Sequence, residues 1–513
     1  MTSIADWLTS SDHKKIGRLF TCTSVVLALV TAILGAVIGF ERMSPASFDL
    51  VDGDAAVQLT AALRYGLVFG MLAPVFVGLA ILVVPLQVGA RSIAFPRLAQ
   101  FGFWAWFLGT ILVVVSLVAN GGPGGGQADM VDLYLMAAPL AVAGLLAATL
   151  AVLTTIFTSR APGMTLDRVP PFTWSALVGG SAMVLSLPVM IGTAIYLYVD
   201  HTHARVAFGG NKAVTDHIGF AFSQPQTFVF AVMALGVFAE VAPVAARVRQ
   251  PLRGAVLAGL ALASTGALGA VTQSSHTLSW SGGVGDKVQS ALPWLFFNGL
   301  PLLGALVVVA GVALAFKSAL PRPTAPLLFS TVGALMVLLA MAGNFVGTID
   351  SLDAAGTVFE EGTATLIAFG GLLAAIGGIV HWAPKFAGRR FDDKKVSGLA
   401  VLGLLGVLAT AVPLWVVGLG GQKAAELAGF ATSGADDTLN LVAGVGMALL
   451  ALVVAGTAGL MLTASADVVD DPWDAQTLEW SVPSPAPTDN FETLATVGSP
   501  EPLFDVKPQE VSA

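Results

Sequence analysis

Long runs of apolar residues, separated by charged or glycine- and proline-rich segments, dominate the chain. A helix that crosses a bilayer needs about 20 apolar residues. Twelve runs reach that length, so the pattern predicts an all-α membrane protein with twelve transmembrane helices. The predicted spans are 17–40, 58–86, 99–119, 134–158, 172–199, 226–246, 254–280, 289–316, 325–349, 357–384, 397–420 and 439–465.

The lysine and arginine residues are distributed unevenly between the connecting segments. With the N-terminus inside, eighteen of the 24 fall in inner segments and five in outer ones, while Arg64 lies within the second span. Cytoplasmic loops of membrane proteins carry the excess of positive charge. The bias therefore predicts that both termini are cytoplasmic. We expect a multi-pass protein of a bacterial-type plasma membrane.

The composition narrows the functional class. Of the 513 residues, 56% are hydrophobic and only 11% are charged, whereas soluble domains carry about 25% charged residues. The formal net charge of −8 argues against nucleic acid as a partner, because phosphate binding needs a basic surface. The single cysteine, Cys22, excludes an internal disulfide and a cysteine-based metal site. The lipid bilayer is thus the one partner that composition predicts.

The chain divides into a membrane domain, 1–465, and a C-terminal segment, 466–513. The segment is rich in proline, serine and acidic residues, with Trp473, Trp480 and Phe491 as apolar anchors. Such a composition does not bury enough apolar surface to fold alone. We expect an extended arm that packs on the cytoplasmic face.

Seven short stretches carry a family resemblance: Ser11–Leu19, Val84–Ala90, Ala94–Leu98, Arg160–Met164, Asp216–Ile218, His381–Pro384 and Thr477–Pro485. In this order they are similar to stretches of subunit I of the heme-copper cytochrome c oxidases. That resemblance implies the family's twelve-helix fold, two hemes and one copper ion, oxygen reduction with proton pumping, and other oxidase subunits, such as subunits II and III or their homologues, as partners.

The same resemblance locates the family's heme ligands at residues that do not bind iron. Counting back from Pro85, the histidine of the second span falls at Ala62. Counting back from His381, the two histidines of the tenth span fall at Gly362 and Ala364. Heme iron takes an axial His, Cys, Met or Tyr, so we expect no heme. Substitute ligands on the second span, such as Tyr65 or Met71, remain an alternative.

The copper and proton-transfer positions are altered as well. The resemblance places the copper histidine, the proton-channel glutamate and the cross-linked tyrosine of the sixth span at Gln224, Gln226 and Phe228. The histidine pair of the seventh span falls at Ser274 and Ser275. Amide and hydroxyl groups hold copper poorly. We therefore expect no copper site, and neighbouring His276 alone does not rebuild a three-histidine one.

Four ionisable residues form a possible buried polar cluster within the predicted spans, where charges are costly and are usually paired or functional. The favoured interpretation is a buried ion pair between Arg64 and Glu361 or Glu360 that replaces heme contacts. A proton or ion pathway through the former cofactor core, or snorkelling to the lipid interface, are the alternatives. The four residues are Arg64, Glu240, Glu360 and Glu361.

The space of the lost cofactors must be filled, because an empty apolar cavity of heme size is costly. The side chains expected to fill it are those of Arg64, Tyr65, Phe69, Phe359 and Glu361.

Histidines elsewhere carry a weaker signal. His201 and His203, with His217, form a motif in an outer loop. A loop does not fix the ligand geometry that a metal site needs, so we interpret these histidines as ordinary polar loop residues.

The sequence as a whole predicts a subunit I-like membrane protein with a degenerate active site, a pseudoenzyme that acts as a scaffold in a respiratory electron-transport complex. No catalytic, cofactor or metal residue is expected. A catalytic cytochrome c oxidase subunit I and an ion or solute channel in the vacated core are the competing functions.

Overall fold

A computed structural model describes residues 6–7, 9–43, 51, 53–203, 226–272, 276–424, 434–466, 468–493 and 496–506. In this part of the chain the secondary structure is helical apart from isolated bridges. The long helices, numbered α1 to α12, are α1 (His13–Glu41), α2 (Gly53–Tyr65, Gly66–Leu72 and Ala73–Val88), α3 (Pro96–Val118), α4 (Ala128–Thr158), α5 (Pro171–Thr202), α6 (Gln226–Ala246), α7 (Arg253–Ala263, Ser264–Gly266 and Ala267–Thr272), α8 (Val284–Trp294, Leu295–Gly299 and Leu300–Ala313), α9 (Ala325–Gly347), α10 (Val358–Ala387), α11 (Asp393–Leu419) and α12 (Gly434–Leu462).

Eleven of these helices are long and apolar enough to cross a membrane. The exception among the described helices is α7, whose apolar part, Arg253–Gly269, is shorter. A 3₁₀ turn at Ser264–Gly266 interrupts it, and residues 276–283 are not helical. The seventh predicted span, 254–280, was therefore too long, because the apolar run ends in the polar residues that follow Thr272. The exact count of twelve spans stays a prediction.

Three helices form the centre of the bundle. The most apolar windows of α2 and α6 are completely buried, and that of α10 is 94% buried. A helix that is hydrophobic on all sides belongs in the middle of a large helical protein. α10 packs against both α2 and α6, whereas α7 packs mainly against α8 and α5. The second, sixth and tenth spans are thus central, and the seventh lies further out.

Glycines allow α2 and α10 to approach closely. A Cβ atom on Gly371 of α10 would lie 2.4 Å from a methyl carbon of Leu72 on α2. Within α2, the segment Gly66–Leu72 is a π-helix, and the indole Nε1 of Trp106 donates to the carbonyl oxygen of Phe69 at 2.8 Å. A side-chain donor that inserts into the backbone hydrogen bonds of a helix is commonly accompanied by a local π-turn. Such π-turns often mark functional regions.

The C-terminal arm lies across one end of the bundle, which we call the arm end; the opposite end is the far end. Asn490 of the arm is buried between α1 and α2: its Oδ1 is 3.1 Å from His13 Nε2, and its Nδ2 donates to the carbonyl oxygen of Ala90 at 2.9 Å. Further along the arm, Trp473 Nε1 donates to the carbonyl oxygen of His381 on α10 at 2.9 Å. The described part of the arm lacks regular structure apart from a 3₁₀ turn at Leu478–Ser481 and a short helix at Pro502–Val506, and its polar contacts fix it to several helices.

Candidate functional site

The positions to which the resemblance assigns heme ligands lie on α2 and α10. Gly362 is buried, whereas Ala62 and Ala364 are half-buried. A Cβ atom on Gly362 would lie 3.0 Å from the carbonyl oxygen of Ala411 and 3.1 Å from Trp415 Cδ1 on α11. Since α11 packs directly on this backbone, a side chain at 362 requires its neighbours on α11 to shift. None of the three residues has a donor atom in its side chain, so they do not fit an axially ligated heme.

An aromatic side chain from α11 covers the outside of this region. Trp415 stacks on Phe359 of α10 with ring centroids 5.5 Å apart. Its indole Nε1 donates to Thr363 Oγ1 at 2.9 Å. The indole thus both fills space beside Gly362 and satisfies a buried hydroxyl group, a role that the sequence did not predict.

The filling of the core by α2 agrees in part with expectation. Tyr65 and Phe69 are buried, and Tyr65 Oη lies 3.0 Å from Thr110 Oγ1. Phe69 packs edge-on against Phe230 of α6, with centroids 5.7 Å apart. Phe359 and Glu361 of α10 are buried as well. Arg64, in contrast, is only half-buried, and with Ala62 and Ala364 half-buried too the filling is incomplete at this level.

A buried ion pair is present near the far end, but its cation is Arg42. This arginine follows the last residue of α1. Its Nη1 and Nη2 donate to Glu361 Oε1 and Oε2 at 3.0 and 2.8 Å, and Nη2 also donates to the carbonyl oxygen of Ala424 at 2.8 Å. The arginine is 2% exposed and the glutamate 4%. This bidentate arrangement has the geometry of a strong charge-assisted interaction.

Of the two carboxylates predicted as the partner of Arg64, Glu361 is paired with Arg42 instead. Arg64 interacts electrostatically with Glu360, the half-buried neighbour on α10. Two consecutive residues of a helix point about 100° apart, because a turn takes 3.6 residues. Glu361 faces the end of α1, where it contacts Arg42, and Glu360 faces a different side of α10.

Glu240 does not belong to this group. Its Oε2 accepts a hydrogen bond from the backbone N–H of Phe172 at 3.3 Å, near the arm residue Glu479. Along α10 the arm end lies about 30 Å from Glu361, at 1.5 Å per residue. The four predicted residues thus form two separate groups, and a single pathway lined by all of them is not what the structure contains.

Polar groups at the arm end form a second buried network around Glu479. Its Oε1 accepts from Gln87 Nε2 at 3.0 Å and from Trp382 Nε1 at 3.1 Å. Gln87 Oε1 in turn accepts from Thr173 Oγ1 at 2.7 Å. Burial raises the pKa of the Glu479 carboxyl above its ordinary value, and these hydrogen bonds oppose that shift. The network joins the arm to α2, α5 and α10.

Lys385 strengthens the same contact between α10 and the arm. Its Nζ donates to the carbonyl oxygen of Val482 at 2.5 Å and lies 5.0 Å from the centre of the Trp480 ring. The cation–π contact and the hydrogen bond together compensate the burial of the ammonium group.

Several predicted positions lie outside the described residues: Gln224, Ser274, Ser275 and His217. Gln226 and Phe228 lie in the first turn of α6, but their side chains are outside the description. His276 stacks on Phe297 with centroids 4.0 Å apart. Among the described residues, no group of three or more His, Cys, Asp or Glu residues could hold a metal ion.

The histidines of the predicted outer-loop motif act as polar residues where they are described. His201 Nδ1 lies 2.7 Å from Asp132 Oδ1, and His203 Nδ1 lies 3.2 Å from the carbonyl oxygen of Val199. Both residues are at the end of α5.

The sequence analysis did not predict the interactions of four buried or partly buried residues: Arg42, Gln87, Lys385 and Trp415. A charged residue directly after an apolar run resembles a solvated helix end, so the burial of Arg42 depends on α10 lying beside it. Gln87 and Glu479 were both within stretches similar to the family. That coincidence was the available signal that the arm and α2 contact each other.

Comparison with known proteins settles the family. Residues 15–449 match the family described as cytochrome c and quinol oxidase polypeptide I. The chain belongs to this family. The match covers most of the membrane domain, and the chain is accordingly a multi-span membrane protein of the oxidase family.

Bacterial relatives match over nearly the whole chain. The cytochrome c oxidase subunit 1 of Bacillus subtilis is 27% identical, over 97% of this chain and 82% of the relative. The protein of the same name from Alkalihalophilus pseudofirmus is 27% identical, over 98% and 83%. A Streptomyces avermitilis protein named as a cytochrome c oxidase subunit 1-beta is 29% identical, over 98% of this chain and 92% of the relative.

Proposed function

We propose that this chain is a non-catalytic member of the subunit I family that serves as a membrane scaffold in a respiratory complex. The proposal rests on the packing around Gly362. The family's fold is kept, yet α11 packs against the backbone at a heme-ligand position, and Ala62 and Ala364 offer no donor to iron.

The scaffold role is supported by what the chain retains. The arm remains attached to α1, α2 and α10 through His13, Gln87 and Lys385. A protein that has lost its redox groups but keeps a rigid end surface is suited to hold other subunits in place. Association with other oxidase subunits and the lipid bilayer follows from the family. Subunits II and III, or their homologues, are the partners we propose, with both termini cytoplasmic in the plasma membrane.

The competing function is that of a catalytic subunit I, which the names of the relatives favour. It requires axial heme ligands other than the three residues discussed above. Tyr65 is the nearest candidate on α2, but its hydroxyl group is engaged with Thr110.

Optical spectroscopy of the purified chain distinguishes the two functions. We expect no Soret band and no pyridine hemochrome from protein purified with heme supplied during growth, whereas the Bacillus subtilis relative, purified in parallel, serves as the heme-containing control. About one or two hemes per chain would contradict the proposal. Co-purification with mass spectrometry then identifies the membrane subunits that the chain holds, and its isolation without any of them would contradict the scaffold role.

A further inference from the structure

A cavity of about 220 Å³ lies at the arm end, where five segments of the chain meet. The end of α6, the connection before α9, α10, the connection between α10 and α11, and the arm all contribute to its walls. Its polar lining residues are Arg322, Thr324, His381, Arg390 and Asp393. Pockets for drug-sized ligands measure roughly 300–1,000 Å³, so this one suits a smaller group.

The backbones of the two arginines are fixed on either side of the cavity. Arg322 N donates to the carbonyl oxygen of Ala245 on α6 at 3.0 Å, and Arg390 exchanges two backbone hydrogen bonds of 2.9 Å with Ser465. Asp393 Oδ1 accepts from the backbone N–H of Ala325 at 2.8 Å, which joins the starts of α9 and α11. The wall is therefore organised by the fold without any ligand.

The positive charge of the cavity is not fully neutralised by the residues that line it. Among the described residues, neither Arg322 nor Arg390 has a carboxylate within 4.0 Å, whereas Arg247 and Arg249 at the same end each pair with acidic residues of the arm. The carboxylate of Asp393 is already used at the helix start. Arg322 and Arg390, both exposed, thus line a polar cavity without an acidic partner among the described residues.

The third polar feature is a buried imidazole. His381 is 2% exposed, lines the cavity, and its Nε2 has no hydrogen-bond partner. Its ring stacks on Trp473 of the arm with centroids 5.9 Å apart, and Trp473 also lines the cavity. A buried polar atom without a partner is unusual and calls for a ligand or water.

From this arrangement we propose that the cavity is a binding site for a phosphate group, held by Arg322 and Arg390 with His381 at its inner wall. Guanidinium groups match phosphate oxygens in geometry and charge, with two parallel N–H···O bonds each. The phosphate belongs either to a soluble anion or to the headgroup of an anionic phospholipid, since basic pockets between the ends of membrane helices bind such headgroups. The site does not depend on whether the chain binds heme.

Two experiments on the full-length chain separate the sources. In detergent, thermal unfolding is followed against inorganic phosphate, with potassium chloride at matched ionic strength as the reference. In nanodiscs, the same unfolding is compared between phosphatidylcholine alone and phosphatidylcholine with phosphatidylglycerol. The variants are Arg322→Gln, Arg390→Gln and the double variant. Lys394→Gln is the matched control, because Lys394 is an exposed cation in the first turn of α11, next to this connection, and does not line the cavity.

For the wild type and Lys394→Gln we expect a saturable increase in Tm in one of the two arms. Each single arginine variant should weaken the apparent affinity by about tenfold or more, and the double variant should lose the response, because each lost bidentate contact is charge-assisted. A response to inorganic phosphate identifies a soluble anion, and a response to phosphatidylglycerol alone identifies a headgroup. An unchanged response in the double variant, an equal response to chloride, or no response in either arm overturns the proposal. Equal Tm values of all variants without ligand exclude a folding defect as the cause.

Discussion

The ion pair between Arg42 and Glu361 gives the sharpest test of how the far end is held together. Replacing Arg42 by alanine leaves a carboxylate that is only 4% exposed and that has lost both bonds from the guanidinium group. Removing one partner of a buried pair costs about 3–5 kcal/mol, because the other charge stays buried and unpaired. We expect Arg42→Ala to lower the free energy of unfolding by this amount. The loss of the bond to the Ala424 carbonyl adds to it.

A double-mutant cycle isolates the pair. Glu361→Gln alone also leaves Arg42 without its counter-charge, whereas Arg42→Ala with Glu361→Gln removes both charges at once. The double variant should cost less than the sum of the single ones by about 2–3 kcal/mol. The assay is denaturant unfolding in detergent micelles, followed by circular dichroism. Arg64→Met is the control and should cost less than about 1 kcal/mol, because Arg64 is half-buried and does not touch Glu361.

Additive effects of the two changes, within about 0.5 kcal/mol, would refute this reasoning, since groups that touch do not behave independently. A cost for Arg64→Met equal to that for Arg42→Ala would also contradict the assignment and would favour the pairing predicted from sequence.

Three further outcomes follow from the structure. Burial raises the pKa of Glu479 in the folded protein, so the free energy of unfolding should fall as the pH rises from 4.5 through the raised pKa. In a series of unfolding curves at different pH, Glu479→Gln should flatten this dependence. A wild-type free energy of unfolding that rises over this range would contradict the prediction. Gly362→Val should destabilise by about 1–3 kcal/mol through contact with α11, whereas Gly398→Ala, which meets no atom within 4 Å, should stabilise by about 0.5–1 kcal/mol in the same assay. Asn490→Ala should speed proteolysis of the arm by removing its bonds to His13 and to α2, and an unchanged cleavage rate would mean that these bonds do not hold the arm.

The apolar pattern was sufficient to predict most of the fold. Runs of about 20 apolar residues locate the long helices, because the bilayer sets their length, and the family resemblance supplies the order in which they pack. The seventh span was predicted too long, since it was extended into the polar residues that follow Thr272. The central position of α2, α6 and α10 in the bundle follows from their continuous apolar character.

The polar contacts were harder to predict. The sequence indicated that Glu361 needs a cation, but it did not indicate which one, because the choice between Arg42 and Arg64 depends on how α1 and α2 face α10. The contact of Trp415 with Gly362 depends on the packing of α11 in the same way. In contrast, Glu479 could have been paired with Gln87 from the two family-like stretches in which they lie.

The direct test of the account is the heme content of the purified chain. Pyridine hemochrome analysis, with elemental analysis for iron and copper, should be carried out on protein expressed alongside its natural membrane partners and freed from them under chelation. The account predicts far less than one heme, one iron and one copper per chain, because Ala62, Gly362 and Ala364 have no donor atoms for iron. A stoichiometry near one or two hemes per chain, with a low-spin optical spectrum, would contradict it and would restore a catalytic function.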